Sequence, residues 1–194
     1  MIFKNIDTFM EWRDLCHDVI KFHQSIMMTS GGFDPLHVGH LRCIQETVKL
    51  ANDPKRFPSA AKPLVTVLVN CDDFLKAKKG YAFMTLQDRM EIINGIKGVD
   101  CVLPWFYTND DFTVVKAIHK IRPKWFTKGG DRTDATNIPE WEICQQVGCE
   151  VITGVGGKKI RSSSELVEEA DRMNMEAVQL QGWAEGYAEG RDNR

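Results

Sequence analysis

Apolar and polar positions along this chain alternate between two patterns. From Phe9 to Phe22 the apolar residues Phe9, Trp12, Leu15, Cys16, Val19 and Ile20 recur every three or four positions, which predicts an amphipathic helix. Continuous short apolar runs then predict strands at Ile26–Thr29, Leu64–Val69, Cys101–Leu103, Trp125–Thr127 and Glu150–Ile152. The run at Leu64–Val69 is rich in β-branched residues and flanked by Pro63, as expected of a parallel strand covered on both faces. Helical periods separate these runs. One opens at Leu41, one spans Leu86–Ile96 behind Thr85 as N-cap, and one covers about Asp110–Ile121, where Arg122-Pro123 stops it. Asn52–Pro63 holds three prolines, at 54, 58 and 63, and reads as an exposed loop; Lys76–Gly80 reads as a flexible loop after the second strand. Strands alternating with helices predict an α/β fold: a doubly wound parallel sheet of about five strands with right-handed crossovers, an N-terminal helix and a C-terminal tail.

The tail has its own pattern. Gly182-Trp183-Ala184-Glu185 and Gly186-Tyr187-Ala188-Glu189 repeat with a period of four, so a helix would set the glycines on one stripe and the aromatics on the next. Each interior glycine costs a helix about 1 kcal/mol. Residues 173–194 are therefore expected to be a helical or disordered tail, docking on a partner subunit or fraying, beside a main domain of residues 1–172.

Composition narrows the classes. A net charge of −2 gives no general attraction to nucleic acid or to an anionic membrane, so any phosphate-binding cations must be local. No apolar stretch approaches the ~18 residues of a membrane span. Met1–Asp7 has no apolar signal core, and a cytoplasmic location is expected. The six cysteines, at 16, 43, 71, 101, 144 and 149, form no CxxC pair and read as reduced core thiols, not as a zinc site. No carboxylate cluster has metal-ligand spacing.

The chemistry concentrates in Gly31-Gly32-Phe33-Asp34-Pro35-Leu36-His37-Val38-Gly39-His40, between the first strand and its helix. Glycines there let backbone N–H groups approach phosphate oxygens, and the helix N-terminus adds unpaired N–H groups and the positive end of its dipole. His37 and His40 lie about one turn apart and can face the same anion. This order suits a nucleoside triphosphate pocket. The other polar motifs also follow strands: Val69-Asn70-Cys71-Asp72, Lys128-Gly129-Gly130-Asp131 and Ser162-Ser163-Ser164. They converge on the carboxyl edge of the sheet, where such folds bind ligands.

The segment Gly31–His40 resembles the HxGH signature of the cytidylyl- and adenylyltransferase superfamily. With Met28–Asp34, Val69–Asp72, Gln87-Asp88-Arg89-Met90, Gly98–Val102, Lys128–Asp131 and Ser162–Ser164, in that order from Ser25 to Asp171, the chain is most similar to the heptose 1-phosphate adenylyltransferases. Glycerol 3-phosphate cytidylyltransferase is the competing relative; its spacing matches Asn70–Met90, but its counterpart of Lys128–Asp131 differs. The resemblance implies a Rossmann-like nucleotidyltransferase that joins a nucleoside monophosphate from an NTP, ATP favoured over CTP, to a small phosphorylated substrate and releases pyrophosphate. Mg²⁺ would arrive on the triphosphate with most of its waters. A homodimer is among the arrangements the resemblance implies. The contrasting class is a catalytically silent nucleotide-binding or assembly module, against which the joint presence of His37, His40, Lys78 and Arg89 argues.

By the same resemblance, His37, His40, Lys78 and Arg89 are the catalytic candidates, with Lys79 able to exchange roles with Lys78. Both histidines would donate N–H groups to the transition state. Arg89 opens a helix, against the dipole preference, which hints at an anionic partner or an ion pair with Asp88 or Glu91. Gly31, Gly32, Phe33, Asp34, Gly39, Lys128, Gly129, Gly130, Asp131, Ser162, Ser163 and Ser164 are the nucleotide-binding candidates. The serine run also reads as a helix cap. An arginine that glycerol phosphate cytidylyltransferases carry just upstream of that run has no counterpart in register, Lys158 and Arg161 being the nearest cations.

Overall fold

The computed structural model describes residues 1–20, 25–58, 62–106, 111–130, 136–158 and 161–192, with side chains omitted at 18–20 and 182–192. Two compact units divide the chain, Met1–Ile160 and Arg161–Arg194.

The first unit is built on five strands, β1 (Ile26–Gly31), β2 (Leu64–Asn70), β3 (Cys101–Trp105), β4 (Trp125–Gly129) and β5 (Glu150–Val155). All neighbouring pairs are parallel, in the order β3-β2-β1-β4-β5. The helices are α1 (Ile6–Ile20), α2 (Val38–Ala51), α3 (Asp72–Lys79), α4 (Leu86–Asn94), α5 (Val115–Ile121) and α6 (Trp141–Val147). The doubly wound parallel sheet expected from the sequence is the observed fold. It winds from β1 through β2 to β3, then crosses to β4 on the other side of β1. The switch point therefore lies between β1 and β4, the place beyond the strand ends where folds of this kind bind ligands.

Alternation along the strands sorts the core into two layers. Met28, Leu68, Leu103 and Phe126 pack with Phe9 of α1, Ala117, Ile118 and Ile121 of α5, and Cys144 of α6. On the opposite face, Val67, Val69 and Val102 meet Ile44 of α2 and Met90 and Ile93 of α4, while Met27 and Val65 meet Ala51 and Phe57. Each helix buries one stripe, so losing it would expose a strand face; at about 25 cal/mol per Å² this burial is the main force holding the layers. The Thr47 and Thr127 hydroxyls bond across α2 and β4 at 2.8 Å, satisfying two polar groups that the packing encloses.

Several boundaries differ from the sequence reading. Strands β1, β3, β4 and β5 run two or three residues beyond the apolar runs, because the ladders continue through Ser30, Gly31, Trp105, Gly129 and Val155. Lys76–Lys79 is not loop but the last turn of α3, closed by Gly80 in the left-handed conformation at φ 87°. Its basic last turn suits the negative end of the helix dipole. Helix α5 begins at Val115, and α6 carries too short an apolar pattern to have been predicted. Phe22 and Asp110, the outer limits of two predicted helices, lie outside the described residues.

The second unit contains α7 (Ser163–Asp192). Ser162 Oγ accepts the Glu165 N–H at 3.2 Å, and the Ser162 N–H donates to Glu165 Oε2 at 2.9 Å. That reciprocal pair is a capping box, so the serine run does start a helix. Among the described residues, no helix is long and apolar enough to cross a membrane.

Candidate active site

The turn that leaves β1 is held from three sides. Phe33 occupies the left-handed region at φ 52° and folds its ring back under Gly31, where a Cβ would lie 3.1 Å from the ring. A Cβ on Gly32 would come within 2.7 Å of Leu75. Asp34 is buried, its carboxylate accepting the backbone N–H groups of Phe83 at 2.9 Å and Met84 at 2.6 Å. Lys79 Nζ donates to the Asp34 carbonyl at 2.6 Å and sits 3.1 Å from its carboxylate. These bonds pin the Tyr81–Met84 segment to the glycine turn. Asp34, expected to bind nucleotide, has its oxygens committed to that task.

Arg89 completes the frame and departs most from the sequence reading. It is fully buried. Its guanidinium donates to the carbonyls of Gly32 at 2.6 Å, Asn70 at 2.7 Å and Met84 at 3.2 Å, and to Asp72. The acid it pairs with is Asp72, not Asp88 or Glu91. A planar fork of five donors is the side chain that can tie two strand ends and a loop together at once. Its burial against the helix dipole is offset by the carbonyls and carboxylate around it.

Above this frame stand the two histidines. His37 is the N-cap of α2: its Nδ1 accepts the Gly39 N–H at 3.1 Å. A Cβ on Gly39 would fall 2.9 Å from His37 Cε1, so the glycine is what lets the cap close. With Nδ1 accepting, the neutral ring carries its proton on Nε2 and can donate from there. The His40 ring stacks on that of His37 with centroids 3.8 Å apart, and meets Phe33 edge-on at 5.2 Å. Burial lowers the His40 pKa to about 4, helped by His37 and Lys79 and opposed by Asp34. The ring is neutral near pH 7, and its buried Nδ1 has no protein partner. Asn70 Oδ1, at the end of β2, is a second buried atom without one.

The β4 side closes differently. A Cβ on Gly129 would lie 2.9 Å from both Cys43 Sγ and the Val155 carbonyl, and Gly130 turns at φ 71°. Beyond β5, Gly156 at φ 83° brings its backbone onto α2, where a Cβ would be 2.6 Å from the Cys43 nitrogen. Lys128 Nζ lies 3.2 Å from Glu140 Oε2 and 4.6 Å from the Phe126 ring centroid. Glu140 is buried at the head of α6, and burial raises the pKa of Cys43 beneath the turn. The main unit thus brings His37, His40, Asp34, Lys79 and Arg89 together at the end of β1, with Lys128, Gly129 and Gly130 at the end of β4. Lys78 is exposed on α3, its Nζ 5.7 Å from the Phe74 ring. Asp131 lies outside the described residues, and Ser162, Ser163 and Ser164 belong to the second unit. Asp72 belongs to the Val69–Asp72 motif, but its part as the partner of Arg89 was not foreseen, and Glu140 escaped the sequence reading, since nothing local marks an acid whose partner is far along the chain.

Comparison with known proteins shows the family. Residues 28–164 match the family model described as cytidylyltransferase-like. The chain belongs to that family and is a nucleotidyltransferase. It is 32% identical over 136 residues to the bifunctional protein HldE of Haemophilus ducreyi, covering 69% of this chain and 24% of that protein. The HldE proteins of Haemophilus influenzae (34% over 110 residues) and Syntrophotalea carbinolica (26% over 170 residues) are covered to 20% and 31% of their lengths, and 56% and 84% of this chain. The chain therefore spans between a fifth and a third of these relatives. The lipopolysaccharide core biosynthesis protein of Thermoplasma volcanium superposes with a TM-score of 0.53 at 20% identity, over 71% of this chain and 100% of that one, a likeness of fold.

Proposed function

We propose that the chain transfers an adenylyl group from ATP to a sugar phosphate of the heptose 1-phosphate type. A phosphate oxygen of the acceptor attacks the α-phosphorus in line. The bond from α-phosphorus to the bridging oxygen breaks, and its electron pair leaves with pyrophosphate. The observation that carries this reading is the pair of stacked histidines at the head of α2, one with its donor nitrogen fixed by the Gly39 cap. Imidazole N–H groups fixed in place before substrate arrives can donate to an oxyanion as its charge develops.

The other residues take supporting parts. The head of α2 and the glycine backbone receive the triphosphate. Lys78, exposed on the last turn of α3, carries a mobile charge to the phosphates. Lys79, Asp34 and Arg89 position the turn. Lys128, Gly129, Gly130 and Asp131 serve the nucleoside side. Mg²⁺ would arrive on the triphosphate, held by phosphate oxygens and most of its waters. When bound, the ion supplies neutralisation of the triphosphate charge.

The test is pyrophosphate release with Mg²⁺ across ATP, CTP, GTP and UTP, each paired with heptose 1-phosphate and with glycerol 3-phosphate. ATP with the heptose acceptor is the expected pair; CTP with glycerol 3-phosphate would overturn the assignment, and silence with nucleotide still bound would favour a non-catalytic module. His40→Ala should lower kcat at least ~100-fold while the far-ultraviolet spectrum stays native.

A further inference from the structure

Lys128 and Gly129 leave the end of β4 on opposite faces of the sheet, as successive strand residues do. The Thr127 hydroxyl meets that of Thr47 on α2 at 2.8 Å, and a Cβ on Gly129 would lie 2.9 Å from Cys43 of α2. Phe126 packs instead with α1, α5 and α6. Lys128 goes with Phe126: its Nζ lies 4.6 Å from that ring centroid and 3.2 Å from Glu140 Oε2. Steric contact thus closes the α2 face of this turn, and an ion pair braces the other.

The pair is enclosed, with the Lys128 and Glu140 side chains 13% and 6% exposed. Glu140 is tied to two helices. Its carbonyl accepts the Cys144 N–H at 3.1 Å, which seats it in the first turn of α6. Its Oε1 accepts the Val114 N–H at 3.4 Å, at the head of α5. Its buried Oε2 makes no hydrogen bond among the described residues, and the Lys128 ammonium beside it offsets its charge. Drawing that ammonium away to a ligand phosphate would leave a buried carboxylate bare, which costs more than such an ion pair returns. What the turn can offer a ligand without that cost is its backbone, at Gly129 and at Gly130 with φ 71°.

We infer that Glu140 is a positioning residue for the nucleoside: its ion pair with Lys128 is a strut that fixes the Lys128–Gly130 turn, and the turn meets the nucleoside through backbone groups, not through the lysine. This rests on the proposed adenylyl transfer, in which that turn serves the nucleoside side. Glu140 touches no reacting atom. Its loss loosens the turn, so it is felt in the affinity for the nucleoside and not in the hold on the phosphates.

Titration calorimetry of the full chain with Mg²⁺ reads this out, using ATP and tripolyphosphate, which carries the phosphates without the nucleoside. Glu140→Gln keeps the volume and removes the charge. It should weaken ATP binding at least ~10-fold and tripolyphosphate binding less than ~3-fold, a coupling of the size found between residues in contact. Lys128→Met should show the same split. The double variant leaves no buried charge unpaired and should bind ATP more tightly than either single variant. Weaker tripolyphosphate binding in Lys128→Met would make the lysine a phosphate contact and overturn the strut. So would additive losses in the double variant, native ATP affinity in Glu140→Gln, or equal loss of both ligands there with a native far-ultraviolet spectrum. Should a single variant lose that spectrum, the double variant decides: ATP affinity near the native value supports the strut, and its loss overturns it. If the native protein binds ATP no more tightly than tripolyphosphate, the nucleoside reading of the turn fails first, and the part of Glu140 in recognition falls with it.

Discussion

The turns after β1 and β4 flank the same switch point, yet they are made of opposite materials. The first is an electrostatic frame, in which Asp34, Lys79 and Arg89 direct their charges into backbone groups and Asp72. The second is a steric one, in which Gly129 and Gly156 let β4 and β5 close on Cys43 with no room for a methyl group. The difference teaches that charge near a nucleotide edge need not touch the nucleotide. At the first turn the charges hold the backbone, and the proposed reaction is left to two imidazoles and a helix head.

Breaking the electrostatic turn should have the largest effect. Arg89→Leu strands the carbonyls of Gly32, Asn70 and Met84 and leaves Asp72 unpaired, a loss of at least about 3 kcal/mol in chemical denaturation. Arg89→Lys should recover little of it, since an ammonium cannot span the same fork. If Arg89→Leu folded with native stability but bound no nucleotide, the arginine would be a ligand contact and the contrast between the turns would fail. The steric turn comes next. Gly156→Ala combines a left-handed φ with a clash against backbone and should cost about 1–3 kcal/mol. Gly129→Ala meets a side chain as well as a carbonyl, so adding Cys43→Ala should restore part of its stability and none of that lost in Gly156→Ala.

Acid sharpens the comparison more gently. The folded His40 pKa is depressed to about 4 from an ordinary 6.5, so between those values the unfolded chain holds the extra proton. Stability should therefore fall as pH drops through that window, and denaturation at its two ends should show a smaller drop in His40→Ala. Above pH 6.5 this histidine contributes no slope. The smallest effect belongs to a residue of neither turn: Thr85→Ala removes the cap of α4, where the hydroxyl accepts the Asp88 N–H at 3.2 Å, and should cost about 1 kcal/mol with turnover unchanged.

Much of this architecture was legible in the sequence. Five apolar runs became five parallel strands, because a strand covered on both faces writes its burial directly into composition. The Gly31–His40 segment could be placed at a strand-to-helix turn, and Thr85 and Ser162 could be read as caps, since capping is local. What was hidden depended on distant partners. Arg89 reads from sequence as a catalytic cation facing an anion, or as half of an ion pair with Asp88 or Glu91, because its acceptors are carbonyls of Gly32, Asn70 and Met84, and carbonyls leave no trace in side-chain identity. Helix α3 looked like a loop because only Phe74 and Leu75 mark its buried face among charged residues. Lys79 could not be separated from Lys78 until helical geometry turned one towards Asp34 and left the other exposed.

The strand order also sets a timetable for biosynthesis. Strand β1 lies at the centre of the sheet, but one of its two neighbours is β4, with Met27 in register with Trp125. The stretch between them takes a ribosome about 5–20 s at the usual 5–20 residues per second. For that time β1 can pair with β2 alone, and its other edge is open to any passing strand. The same arrangement that sets the switch point between β1 and β4 leaves the nascent chain dependent on rapid completion or on a chaperone's cover.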